Sequence, residues 1–240
     1  MAEEKAKTTE TKDGKKPFFT DNKVEVLVAI FLGITAILTA WASWIGSLHG
    51  GNQATNYTKS NNLASEGNSE YNSGLQDYLS DLMVWNTYVE YLFEYEMADV
   101  DGSEEKLGLI EAKIENYLNQ NGSQVFVEAH EAMTDDMDSP FEVPGMMDKY
   151  FETANELLTE SQELLEQGQR DNANGDAYNL VSVIYSVVLF ILGIVGIFKK
   201  IPNRAVVLVI AVIIMILATI YMLTIPMPTG FSLASFFSAK

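Results

Sequence analysis

The stretch 205-AVVLVIAVIIMILATIYMLTI-225 decides the fold, because it runs through the whole segment without a charged residue. At about 1.5 Å per residue, a helix of this length matches a hydrocarbon core of roughly 30 Å. Two further apolar runs, 24–48 and 180–198, are of similar length. A soluble buried helix of such uniformity would be exceptional. The sequence therefore predicts an all-α membrane protein with transmembrane helices at 23–48, 178–198 and 205–225.

The first apolar run also has features of a secretory signal peptide. Lysines precede it, and Ala40-Trp41-Ala42 resembles a cleavage site. The apolar stretch, however, continues past the roughly 7 to 15 residues of a signal-peptide core. We therefore favour an uncleaved membrane anchor.

The distribution of charge orients the chain in the membrane. Six lysines precede the first span, and the turn 199–204 carries Lys199, Lys200 and Arg204 without an acid. Residues 49–177 hold 27 Asp and Glu against five Lys and Arg, a net charge of −22. The positive-inside rule predicts a multi-pass protein of the cell membrane with a cytoplasmic N-terminus and turn, so that 49–177 and the tail 226–240 lie outside. Because the chain lacks cysteine, this acidic domain has to fold without disulfides.

Small residues recur along the first span at alternating intervals of four and three. The same count continues beyond the membrane with aromatic residues and leucines, which predicts one helix from the membrane to about residue 97. The weak part is 52–74, where Asn, Ser and Gly are frequent and a flexible linker is the alternative. A second helix, from about residue 145 into span two, repeats small residues every seven positions. The predicted helix-packing seam consists of Ala29, Gly33, Ala36, Ala40, Ser43, Ser47, Ala154, Ser161, Gly168, Gly175, Ser182 and Gly196.

Two shorter helices are predicted over about 103–133, before Pro140 and Pro144 break the chain. If the two long helices pack on each other, spans 1 and 2 extend into an antiparallel helical rod with a small helical head outside.

Residues 1–22 are nearly devoid of apolar side chains, which predicts a disordered cytoplasmic tail. The phenylalanine-rich tail after Pro226 is expected to lie on the outer membrane surface or to be disordered.

Few residues suggest catalytic or metal chemistry. His130 is followed by Glu131, but a threonine at position 134 excludes the HExxH zinc motif. No phosphate loop, nucleophile triad or paired catalytic carboxylates can be assigned, and the acidic exterior argues against nucleic acid. We predict no enzyme activity and no cofactor. A weak Ca²⁺ site or a solvated acidic surface is expected where four carboxylates share a proline-terminated loop: Asp135, Asp136, Asp138 and Glu142.

Scattered positions over most of the chain suggest a resemblance. These positions are Asn52-Gln53, Tyr57, Pro140-Phe141, Tyr150, Asp176-Ala177-Tyr178, Val187-Val188-Leu189-Phe190 and Gly193. In these and in its layout, the chain resembles uncharacterised bacterial three-span membrane proteins with a helical extracytoplasmic domain. That resemblance implies no activity. A helical domain between two spans also resembles the sensing domains of bacterial chemoreceptors, although here only a short turn follows span two.

Three functions are consistent with these features. The first is a noncatalytic, membrane-anchored interaction or scaffold protein, which would contact the lipid bilayer and a protein partner or a second copy of itself. The alternative is a homo-oligomeric ion channel, in which Thr35, Thr39 and Ser43 would line a pore below an acidic outer vestibule. The third is an effector that acts on the bilayer through its phenylalanine-rich tail.

Overall fold

The structure, a computed structural model, describes residues 21–198 and 203–232, and every regular element in them is helical. In chain order these are α1 (Asp21–Val100), α2 (Glu104–Asn121), α3 (Gln124–Glu131), a 3₁₀ turn (Pro140–Glu142), α4 (Met146–Ile197) and α5 (Arg204–Thr224). The predicted N-terminal tail up to residue 20, residues 199–202 of the predicted turn, and 233–240 lie outside the described residues. The chain forms two compact units: unit 1 comprises Met1–Asn52 and Asp171–Lys240, and unit 2 comprises Gln53–Arg170.

Three helices are long and apolar enough to cross a membrane, as the sequence predicts: α1, α4 and α5. The ends of α5 lie within one residue of the predicted third span. The segment 52–74, for which a linker was the alternative, is helical and belongs to α1. The two short helices also form, and Ser123 caps α3 by accepting a hydrogen bond from the backbone N–H of Phe126. Ser103, the predicted cap of α2, makes no such side-chain bond.

The core of unit 1 consists of apolar side chains from α1, α4 and α5. On α1, a row of buried residues recurs every seven positions at Val28, Thr35, Ala42 and His49, and Val24 and Ile45 are buried beside it. On α4 the buried side chains include Val181, Tyr185, Val188, Leu192 and Val195. Outward-facing side chains of the same helices, such as Ile37, Phe190 and Leu223, are apolar too. A bundle that is apolar both inside and outside suits a lipid environment.

The core of unit 2 lies where α1 meets the short helices and the start of α4. Its buried apolar residues are Val84, Leu118, Phe126, Ala129, Met146 and Tyr150. On α1, a row of buried positions again recurs every seven residues, and its members are small or polar: Ser60, Gly67, Gly74 and Asp81. A Cβ at Gly74 would lie 3.0 Å from the backbone carbon of Tyr150. Glycine therefore allows the two helix backbones to approach closely there.

The predicted seam residues differ between the two long helices. On α4, Ala154, Ser161, Gly168 and Gly175 are buried, and Ser182 and Gly196 are half-buried. On α1, the predicted residues are exposed, and the buried row lies one position earlier at Val28, Thr35, Ala42 and His49. The exposed residues are Ala29, Gly33, Ala36, Ala40, Ser43 and Ser47. Of these, Ser43 still contacts α4, since its hydroxyl lies 3.0 Å from that of Ser182.

The offset on α1 follows from packing small residues against large ones. Within unit 2, the space left by Gly168 is occupied by the ring of Tyr57, and a Cβ on Gly168 would lie 2.5 Å from that ring. Within unit 1, Gly175 faces the Cβ of His49. Close packing needs a small residue on only one of the two helices. Gly168 and Gly175 of α4 therefore contact larger side chains of α1, and the small row that was predicted on the first span remains uncovered.

Candidate functional site

A buried polar centre in unit 1 joins three segments of the chain. The Nδ1 atom of His49 on α1 lies 2.9 Å from Oδ1 of Asp171 on α4, and Nε2 lies 3.1 Å from the carbonyl oxygen of Pro226. The two side chains are only 1% and 5% exposed. The imidazole also stacks on the ring of Tyr178. This centre attaches the segment after α5 to the middle of α1 and α4.

The partners of His49 determine where its protons lie. A carbonyl oxygen can only accept a hydrogen bond, so Nε2 donates to Pro226. The second hydrogen bond joins Nδ1 to Oδ1 of Asp171. With Asp171 ionised, Nδ1 donates and the imidazole is positively charged, so that the two buried charges compensate each other. The pair therefore has a structural role.

The segment that follows α5 also packs on α1 through aromatic rings. Phe231 contacts Trp41 and Trp44 edge to face, with ring centroids 6.2 Å and 5.8 Å apart. The side-chain amide of Asn52 donates to the carbonyl oxygen of Thr229 over 3.1 Å. Tryptophan at the end of a transmembrane helix is typical of a membrane–water interface. The first residues of the predicted surface tail therefore pack on the first span.

A second buried carboxylate lies in unit 2. Oδ1 of Asp81 accepts from the backbone N–H of Ser123 over 2.8 Å. Oδ2 accepts from the Ser123 hydroxyl over 2.5 Å and from the Tyr150 hydroxyl over 2.7 Å. Burial, with the hydrogen bond to Asp81, raises the pKa of Tyr150 well above its usual range. The phenol therefore stays protonated and donates, and Asp81 connects α1, the cap of α3 and α4.

The acidic loop 133–142 was predicted to be a weak Ca²⁺ site or a solvated surface. The hydroxyl of Thr134 donates to Asp136 and lowers the pKa of that carboxyl group. The carboxylate of Glu142 accepts from the backbone N–H of Asp138 over 3.4 Å. Within 21–198 and 203–232, no three acidic or histidine side chains come together as a metal-binding group. The Ca²⁺ prediction gains no support from this geometry.

The most unusual surface of unit 2 is a row of mostly apolar side chains on α1, which we call the apolar stripe. Three of its members are strongly exposed: Met83 by 65%, Phe93 by 63% and Val100 by 84%. At 3.6 residues per turn, the row lies on one face of α1 over about 38 Å. The stripe consists of Leu75, Leu79, Met83, Asn86, Glu90, Phe93, Met97 and Val100.

The opposite face of α1 explains why the stripe is uncovered. Asp81, Val84 and Ala98 are buried, and Trp85 and Tyr91 are half-buried against the rest of unit 2. At the start of the stripe, the structure buries Gly74 and exposes its neighbour Leu75 by 37%. A long exposed apolar row outside the three candidate membrane spans is uncommon and marks interaction sites.

Comparisons with known proteins add no information on function. No family model matches the chain, and neither a curated protein nor a solved structure is similar to it. The resemblance to bacterial three-span proteins therefore stays a prediction. The candidate site is the apolar stripe, because the two buried carboxylates are fully engaged in holding their units together.

Proposed function

We propose that the protein is a membrane-anchored, noncatalytic interaction protein. In this proposal α1, α4 and α5 hold unit 1 in the bilayer, and unit 2 binds a protein partner outside the membrane. The observation that carries the proposal is the apolar stripe on α1, whose side chains are left exposed by the residues that the structure describes. Membrane anchoring is supported by the three long apolar helices.

The orientation of the chain is part of the same proposal. Lysines before the first span and in the turn 199–204 favour a cytoplasmic location for both. Unit 2 has 25 Asp and Glu against five Lys and Arg, a net charge of −20, and such a domain belongs in water. Where α5 begins, the guanidinium group of Arg204 donates to the carbonyl oxygen of Val195 over 2.7 Å. The antiparallel rod and its head stay a prediction from the sequence.

Site-specific photocrosslinking tests the proposal in the native membrane. A photoreactive amino acid replaces Phe93 in the stripe or, as a matched control, Glu163, an exposed residue of α4 in the same unit. We expect a discrete protein adduct at position 93 that is absent at position 163 and is lost when Met97→Glu is added. Adducts that are absent at both positions, or identical at both, would contradict a partner-binding role for the stripe.

The homo-oligomeric channel is the second candidate, and one observation favours it. The small row of α1 that includes Gly33, Ala36 and Ala40 is exposed, so it is free to pack on a second copy. Against a pore, the hydroxyl of Thr35 is buried and lies 2.7 Å from the carbonyl oxygen of Phe31. Conductance of the purified protein in planar bilayers tests this candidate, and a monomeric protein that carries no current would exclude it.

A further inference from the structure

We propose that the occupant of the apolar stripe is a basic amphipathic helix of another protein. The inference rests on the proposed function and specifies the chemistry of the partner. It is carried by three properties of the stripe: its spacing, the acidic residue at its centre, and the absence of positive charge along its length.

The spacing of the stripe is that of a helix-binding seam. From Leu79 to Val100, stripe positions alternate in steps of four and three, the pattern that a second helix packs against in a coiled coil. One set of positions is 79, 86, 93 and 100, and the other is 83, 90 and 97. Over about three heptads, five of the seven positions carry apolar side chains: Leu79, Met83, Phe93, Met97 and Val100.

The centre of the stripe argues against a second copy of the chain as its occupant. Glu90 lies between Asn86 and Phe93 on this face and is exposed. Two copies anchored in the same membrane present α1 in the same direction, so an in-register pair would place Glu90 opposite Glu90. Like charges at facing positions of a coiled coil are unfavourable. The net charge of −20 on each unit 2 adds to the repulsion.

The charges around the stripe specify a basic partner. Residues 75–100 include six acids and no Lys or Arg. Of these, Glu94 and Glu96 are exposed on either side of the stripe. An interface that covers Glu90 has to supply a cation, because a buried carboxylate without a partner is costly. A helix with an apolar face and flanking Lys or Arg meets both requirements.

A model peptide tests this chemistry with the full chain in nanodiscs of zwitterionic lipid. The probe is a fluorescent amphipathic helix of leucine and lysine, about three heptads long, and the control is a scrambled peptide of the same composition. We expect the amphipathic peptide to bind at least about tenfold more tightly than the scrambled one. Glu90→Lys should weaken binding by about tenfold or more, whereas the matched variant Glu163→Lys should weaken it by less than about threefold.

Several results would overturn the inference. Equal binding of the two peptides, or equal effects of Glu90→Lys and Glu163→Lys, would mean that net charge alone attracts the probe. Rapid disulfide-linked dimerisation of Phe93→Cys in membranes would identify a second copy as the occupant. A native photoadduct at position 93 whose crosslinked segment is not a basic amphipathic helix, or is lipid, would also overturn it. A protein adduct with another segment would leave the proposed function intact, whereas no adduct at all would remove both.

Discussion

Along α1, a row of buried residues recurs every seven positions in both units, and the side chains of this row are larger in unit 1 than in unit 2. In unit 1 the row is Val28, Thr35, Ala42 and His49, and in unit 2 it is Ser60, Gly67, Gly74 and Asp81. In lipid, the outer surface of a helix bundle is as apolar as its interior, so the hydrophobic effect does not drive the helices together. Close packing and a few hydrogen bonds hold them together instead. In water, aromatic residues around a glycine row supply the hydrophobic contacts. The same seven-residue repeat of buried residues therefore occurs in two different kinds of helix packing.

The buried polar residue that ends each row shows the same contrast. His49 in unit 1 is paired with a charged partner, Asp171, and both are nearly inaccessible to solvent. Asp81 in unit 2 is surrounded by uncharged donors from Ser123 and Tyr150. Removing one member of a charged pair leaves a buried charge, whereas replacing a carboxylate that is held by uncharged donors costs hydrogen bonds. The first change should therefore have the larger effect.

Asp171→Asn is expected to have the largest effect. With a neutral partner, the imidazolium form of His49 is no longer compensated, and a neutral imidazole can donate to only one of its two partners. We expect a loss of about 3–5 kcal/mol in the free energy of unfolding, measured by denaturation of the detergent-solubilised chain. Asp176→Asn, at an exposed position of α4 in the same unit, is the control. A loss for Asp171→Asn no larger than that of the control would contradict the charged pair.

Gly74→Ala is expected to have the next largest effect. The added methyl group would lie 3.0 Å from the backbone carbon of Tyr150, and closer still to its carbonyl oxygen, so the two helices have to separate. We expect a loss of about 1–3 kcal/mol, read from the unfolding of unit 2 through the fluorescence of Trp85. Gly33→Ala meets open space in unit 1 and should not destabilise the protein. Equal stability of the two variants would show that the helices in unit 2 are not in close contact.

Asp81→Asn tests the hydrogen bonds around Asp81 separately from the pair of His49 and Asp171. An amide keeps one acceptor oxygen but presents an N–H₂ group where the carboxylate had accepted from hydroxyls. We expect a loss of about 1–3 kcal/mol and a lower pKa of Tyr150, followed by ultraviolet titration of the phenol. If the variant leaves the Tyr150 titration unchanged, the hydroxyl does not donate to Asp81.

The smallest expected effect is a pH dependence in unit 2. Burial lowers the pKa of His130, although the charge of Glu131 partly opposes the shift. The unfolded chain then binds the proton more readily, so stability falls as the pH drops below the ordinary histidine pKa and levels off below the lowered pKa of the folded state. We expect less than about 1 kcal/mol, because the ring is only half-buried. His130→Phe should remove this slope, and a slope that persists would assign it to other groups.

Much of the fold follows from the sequence, because long uncharged runs and proline positions specify helices directly. Pro140 and Pro144 correctly separate the short helices from α4. The prediction placed the buried row of α1 one position too late, because a row that begins at Ala29 and a row that begins at Val28 both follow alternating steps of three and four residues. Which row is buried depends on the partner helix, where Gly168 and Gly175 accept large side chains.

The candidate site was harder to predict than the helices. Leu75 and Phe93 look like core residues in a sequence, and only the packing of Gly74 and Asp81 against the rest of unit 2 turns them outward. The pairing of His49 with Asp171 joins residues that are far apart in the chain, and no local sequence pattern predicts it. A signal was nevertheless present, because His49 lies exactly seven residues after Ala42 and at the end of an apolar span.

The most direct test of the account is the location of unit 2 with respect to the membrane. Because the chain has no cysteine, single variants can be labelled with a membrane-impermeant maleimide in intact cells. The account predicts that Glu163→Cys is labelled in intact cells, whereas Lys15→Cys is labelled only after the membrane is permeabilised. The reverse pattern would place the acidic unit in the cytoplasm and contradict the account.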